Sequence, residues 1–260
     1  MSQTRFIVVL LILTGAASIF ALTQLNLPRN QMKFIVIGLA IANMALWWSA
    51  HLYLERKRRA AFAATLSARG FHVVGPADTP FIHDLRRGQR ALSAKFGARG
   101  RDAGGDLSIA EFTYMTGSGK HSRTHRNMQV SRLAPSPHWP AFYLTRRPGL
   151  FERSTKDLNS PADFGLANEA FAKRWSLICS DPDFVLLLLS PIIQDWLMLS
   201  DKNESWTVAR GHVCLTREHK CKPEDIDPMV HRLDEFLAMI PHELAAYETL
   251  SGSGLHRRDE

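Results

Sequence analysis

The sequence predicts an α+β protein, in which an N-terminal transmembrane helical hairpin precedes a soluble domain with a largely antiparallel sheet and two late helices. Three observations predict it. Two uncharged apolar runs stand near the start, β-type alternation flanks Gly117-Ser118-Gly119, and apolar residues recur at spacings of three and four towards the C-terminal end. With 260 residues, 45% hydrophobic and 22% charged, the chain has material for a core and is not a disordered polyelectrolyte.

The first apolar run covers residues 6–25 without a charge, long enough to cross most of a hydrocarbon core of roughly 30 Å. The second, residues 34–54, carries Trp47, Trp48 and Tyr53 towards its end, where amphipathic rings favour the headgroup level. Residues 26–33 contain Pro28 and few apolar side chains, so the two runs read as a tight hairpin. A cleaved signal peptide, with a small-residue site at Ala16-Ala17-Ser18, is the competing reading; the apolar run continues past that site. Arg56, Lys57, Arg58 and Arg59 follow the second run and outweigh Arg29 and Lys33 of the loop, which predicts both termini on the cytoplasmic side. Asn43 is the one strongly polar residue deep in either run, fewer than a transporter needs.

The formal charge is +7, yet residues 1–59 hold seven Lys/Arg against one acid, leaving 25 against 24 in the remainder. Basicity therefore belongs to the membrane flanks and does not indicate nucleic acid. An odd number of cysteines, Cys179, Cys214 and Cys221, suits a reducing compartment better than a disulfide framework.

Along the soluble part, residues 55–70 continue the second span as a helix ended by Gly70, and residues 76–105 read as loops with one strand around 91–96. Ala110, Phe112 and Tyr114 alternate before the glycine turn, and Met128 and Val130 after it, which predicts a β-hairpin. Further strands are expected at 141–145 and 171–179. Asp181-Pro182 then opens a buried helix to about 199, with a kink at Pro191. Two short strands within 206–216 turn at Arg210-Gly211. The chain closes with an amphipathic helix opened by Asp227-Pro228, whose stripe is Ile226, Met229, Val230, Leu233, Phe236, Leu237, Ile240, Leu244 and Tyr247, divided at Pro241. The organisation expected is a membrane hairpin over 1–59, a juxtamembrane helix and linker over 60–105, an α+β domain over 106–250 and a tail over 251–260.

The segments FTYMTGSGKHSRTHRNMQV, WPAFYL and FAKRWSLICSDPDFVLLLL resemble a broad group of uncharacterised bacterial proteins with two N-terminal spans and a C-terminal α+β domain. The group's pattern is a YTTGSGK hairpin with a Gln-Thr-Val strand, a Leu-Pro-x-Phe segment and a Phe-Ser-x-x-Tyr-x-Leu strand. Here the Thr before Val130 is missing and Trp139-Pro140 replaces Leu-Pro. The resemblance spans residues 34–250 and implies a bacterial inner-membrane location; it carries over no catalytic residue.

Several motifs invite a chemical reading. Gly117-Ser118-Gly119-Lys120 lacks the earlier Gly and the following Ser or Thr of a phosphate loop. His242-Glu243 begins like a zinc-protease helix, but Ala246 stands where the second His belongs. His212, Cys214, His219 and Cys221 offer four metal-capable ligands in ten residues, at a spacing that matches no known cage, against a bland alternative of a buried Cys214 with surface histidines. Residues 86–126 hold nine Lys/Arg against three acids, so Arg86, Arg87 and Arg90 form a candidate basic face for an anionic leaflet, against a merely solvated face. The acid pairs Asp181/Asp183 and Asp225/Asp227 sit where helix N-termini favour negative charge. No cofactor is expected. The leading expectation is a cytoplasmic binding or scaffold module anchored in the lipid bilayer, whose domain binds either a protein partner or the anionic membrane surface. The rival is a membrane-bound enzyme using scattered groups, for instance His121, His125 or His212 beside a carboxylate.

Overall fold

The structure, a computed structural model, describes residues 29–75, 78, 89–117, 119–146, 159–201, 203–219 and 222–247. The chain divides into two compact units, residues 1–62 and 63–260. The first run of the expected hairpin, residues 6–25, lies outside the described residues. Helix α1, Arg29–Ala68, contains the second run and takes in residues 29–33 of the expected loop. It is long and apolar enough to cross a membrane, and none of its apolar window is buried. Trp47, Trp48 and Tyr53 are exposed on it. Arg58 and Arg59 share Glu55, at 2.6 and 3.6 Å, which moderates the basic cluster following the span. Gly70, in the left-handed region at φ 80°, ends the helix where the sequence places the stop.

The second unit is built on an eight-stranded antiparallel sheet. Its strands are β1 (His72–Val74), β2 (Gln89–Asp102), β3 (Gly105–Thr116), β4 (Arg123–Leu133), β5 (Phe142–Arg146), β6 (Trp175–Cys179), β7 (Glu204–Ala209) and β8 (His212–Arg217). They lie in the order β1-β2-β3-β4-β8-β7-β5-β6. The helices after β5 are α2 (Glu169–Arg174), α3 (Pro182–Leu188), α4 (Pro191–Met198) and α5 (Ile226–Met239).

The two expected hairpins form. Gly117 and Gly119 take positive φ between β3 and β4, and Arg210 (φ 52°) and Gly211 (φ 72°) turn β7 into β8. Three expectations are corrected. The strand expected around 91–96 is present but is part of a fourteen-residue strand, β2, and β1 pairs with it, so the sheet starts well before residue 106. The strand expected at 171–179 begins only at Trp175, because Asn168 caps the short helix α2 by accepting the Phe171 N–H at 3.0 Å. The helix expected over 182–199 is two helices. Leu189 leaves helical geometry, and Pro191, which has no N–H to give, opens the second.

Strand alternation assigns the two sheet faces. Val130, Leu215, Trp206 and Leu144 lie in successive register positions, and Arg132 of the same β4 face reaches Asp234 of α5. From α5 itself Ile226, Met229, Leu233 and Phe236 are buried. Phe236 stacks on Trp206 at 4.4 Å. Each such large side chain contributes about 1.5–3 kcal/mol when removed from water. Beyond Pro241 the helical stripe ends in a short 3-10 turn, His242–Ala246, which buries Leu244.

Candidate functional site

On the opposite face of β4, every second residue is polar: His125, Asn127, Gln129 and Ser131. A strand of this pattern normally turns its polar side to water. Here all four are buried, His125 the most accessible at 7%. Burial of polar groups is tolerated when partners are present, and the neighbouring strand supplies them. Gln129 Nε2 donates to Thr216 Oγ1 at 3.1 Å, and Ser131 stands opposite Cys214, to which it is hydrogen-bonded. Burial pushes the Cys214 thiol well above its ordinary range. Asn127 Nδ2 is a buried donor with no acceptor.

At the end of this row, three side chains form a chain. Thr116 Oγ1 lies 2.7 Å from His125 Nε2, and His125 Nδ1 lies 2.8 Å from Glu218 Oε1. Tyr114 stacks on the imidazole at 4.8 Å, and Arg123 Nη2 approaches the same Glu218 oxygen at 3.5 Å. Hydroxyl, imidazole and carboxylate in that order could move a proton from Thr116 to His125, with Glu218 orienting the ring. Sequence reading named His125 and missed Thr116 and Glu218. Only the polar alternation of β4 marks this face in the sequence, where it resembles any solvated sheet face.

On the helix-facing side, Glu204 has a fully buried side chain held by Arg217 Nε and Arg232 Nε, each at 3.0 Å. Arg232 also lies over the Trp196 ring, 3.8 Å from its centroid. Arg132, 4% exposed, bonds Asp234 at 2.5 Å, Asp102 at 2.9 Å and the Gly105 carbonyl at 3.2 Å.

The helix pair α3–α4 departs from the expected buried helix. Phe184, Val185, Leu188, Leu189, Ile193 and Leu197 are buried, but Leu186, Leu187, Ile192 and Leu199 are exposed, Ile192 and Leu199 at 72% and 82%. Asp181 does cap α3, accepting the Phe184 N–H at 3.1 Å, while its second oxygen accepts the Tyr247 hydroxyl at 2.8 Å. The second acid pair acts differently. Asp225 makes no side-chain cap to α5, and Asp227 receives both terminal nitrogens of Arg69.

The expected metal ligands are engaged separately. His212 Nδ1 faces the Arg210 carbonyl at 2.9 Å, Cys214 is enclosed, and His219 Nε2 lies 3.5 Å from Asp225. Cys221 lies outside the described residues, among which no group of three or more His, Cys, Asp or Glu could hold a metal. Arg86, Arg87 and the side chains of Arg90 and His121 likewise lie outside them.

No family model and no curated protein matches the chain. Among solved structures it is similar to the mycobacterial trehalose monomycolate transport factor A, TtfA, at 11% identity with a TM-score of 0.44, covering 70% of this chain and 92% of that one. No residue role is carried over from that likeness.

Proposed function

We infer that this chain is a membrane-anchored, non-enzymatic binding module. In this reading the two-span hairpin holds it in a bacterial inner membrane with both termini cytoplasmic, and the α+β domain docks a protein partner on α3–α4. The observation that carries the reading is the exposed aliphatic set Leu186, Leu187, Ile192 and Leu199. Four exposed aliphatics within residues 186–199 stand out on a soluble surface, where contiguous ones mark contact sites. Charge favours a protein over lipid as the occupant. Residues 181–195 contain Asp181, Asp183 and Asp195 and no Lys or Arg, so the surface around Leu186, Leu187 and Ile192 suits a partner with an apolar centre and a basic rim.

The test places a photo-crosslinking residue at Ile192, and separately at Leu187, in the full-length protein in its native membrane. Both positions are expected to trap the same protein, and Leu199→Asp is expected to abolish the adduct without lowering the melting temperature, since Leu199 is exposed. Adducts with lipid alone, or none, would refute docking on this face.

One observation favours an enzyme instead, the Thr116–His125–Glu218 chain. A fluorophosphonate probe decides it: labelling of Thr116 that disappears in His125→Ala would establish an activated hydroxyl, and no labelling is expected if the chain only fastens the hairpin to β8.

A further inference from the structure

Four arginines gather at one end of the sheet: Arg146 closing β5, Arg174 closing α2, Arg217 closing β8, and Arg232 of α5. Two carboxylates face them, and both are taken. Glu204 holds Arg217 and Arg232, and Asp201 lies 3.4 Å from Arg217. Arg146 and Arg174 make no ion pair among the described residues. Each gives one N–H to the end of α4, Arg146 to the Ser200 carbonyl and Arg174 to the Met198 carbonyl at 3.0 Å. Helix-end carbonyls attract cations but carry only partial charge. Among the described residues, four cations thus face two anions, two positive charges in excess.

Buried donors stand at the same place. The Arg146 guanidinium lies over the Trp175 ring, 5.0 Å from its centroid. Arg146 Nε and Trp175 Nε1 are both buried without an acceptor. Such donors cost free energy until an acceptor reaches them. Burial, and next the adjacent Arg174 cation, push Arg146 below the usual guanidinium value, against the opposing pull of Glu204 and Asp201.

We propose that Arg146 and Arg174 hold a phosphomonoester, extending the module beyond protein docking to an anionic ligand. The excess of two charges matches a phosphomonoester, which carries roughly −1.5 to −2 at neutral pH. A carboxylate would leave about one charge and several N–H groups unanswered. Guanidinium forks also fit phosphate oxygens in pairs. The group could belong to a phosphatidic acid headgroup or to a soluble phosphate ester.

The experiment uses the full chain in phosphatidylcholine nanodiscs, titrated by calorimetry with inorganic phosphate and then glycerol phosphate. Saturable binding is expected, weakened about ten-fold or more by Arg174→Gln. Arg174 is exposed, so this variant keeps the fold even where Arg146→Gln does not. Arg101→Gln, at the opposite end of the sheet, is expected to bind as the parent does. Nanodiscs containing phosphatidic acid separate the sources. A fall in apparent affinity for free phosphate assigns the site to the lipid headgroup, and an unchanged affinity assigns it to a soluble ester. Absence of saturable binding, or equal binding by Arg174→Gln, would overturn the proposal.

Discussion

Glu204 stands directly opposite Arg217 across the β7–β8 ladder, and its carboxylate is closed from the other side by Arg232 of α5. A helix and two strands are thus tied through one side chain that has no access to water. Removing one member of a buried pair leaves the others charged and unpaired, which costs about 3–5 kcal/mol. Glu204→Ala is therefore expected to lower the unfolding free energy extrapolated from urea titration by that amount, and Glu204→Gln by less because it keeps the shape and one acceptor. A change under about 1 kcal/mol would place the pair with ordinary surface bridges.

Asp102 sets the acid limit of the same domain. Burial works against its charge, but the Arg132 guanidinium and the Gly104 N–H hold it below the usual carboxylate range. A depressed carboxylate stabilises the fold above its unfolded value of about 3.9, and loses that contribution as pH falls through the folded value. Asp102→Asn is expected to flatten the decline in stability below about pH 4, measured as melting temperature against pH. An unchanged acid slope would refute this.

Tyr247 predicts the alkaline counterpart. Burial, and next its bond to Asp181, push its hydroxyl up to about 12. Its raised value means stability is whole below the unfolded value of about 10 and declines as pH rises towards the folded one. Ultraviolet titration of the four tyrosines is expected to show one late ionisation, absent from Tyr247→Phe.

Gly100 lies against Phe71, the residue that leads from α1 towards β1. A Cβ on Gly100 would stand 2.8 Å from Phe71 Cγ, and the ring is buried. Gly100→Ala is expected to cost about 1–3 kcal/mol through overpacking. Adding Phe71→Leu to it should recover part of that loss, a non-additivity readable in a double-mutant cycle.

These relationships differ in how far the sequence discloses them. The turns at Gly117–Gly119 and Arg210–Gly211 are legible because positive φ restricts residue choice locally. Strand β2 is legible only around 91–96, because register irregularities between Arg90 and Ser93 and between Ala94 and Phe96 break its alternation. Residues 171–179 mislead for a related reason. Phe171, Ala172 and Trp175 are all buried, so a short capped helix leading into a strand imitates one continuous apolar strand. The His125 chain depends on Glu218, 93 residues away, and nothing local at either position announces the pairing. The exposed aliphatics of α3–α4 were hidden by their number, since a run of consecutive Leu does not say which side faces water.

The seam between β4 and β8 governs when this domain can finish folding. Leu133 pairs with His212 and Met128 with Arg217, so the middle of the sheet joins segments synthesised far apart. The β2–β3–β4 meander is complete early, with the open side of β4 waiting for a strand that has yet to leave the ribosome. Until β8 arrives, β4 has an edge without its partner strand, the kind of surface that invites pairing with another chain.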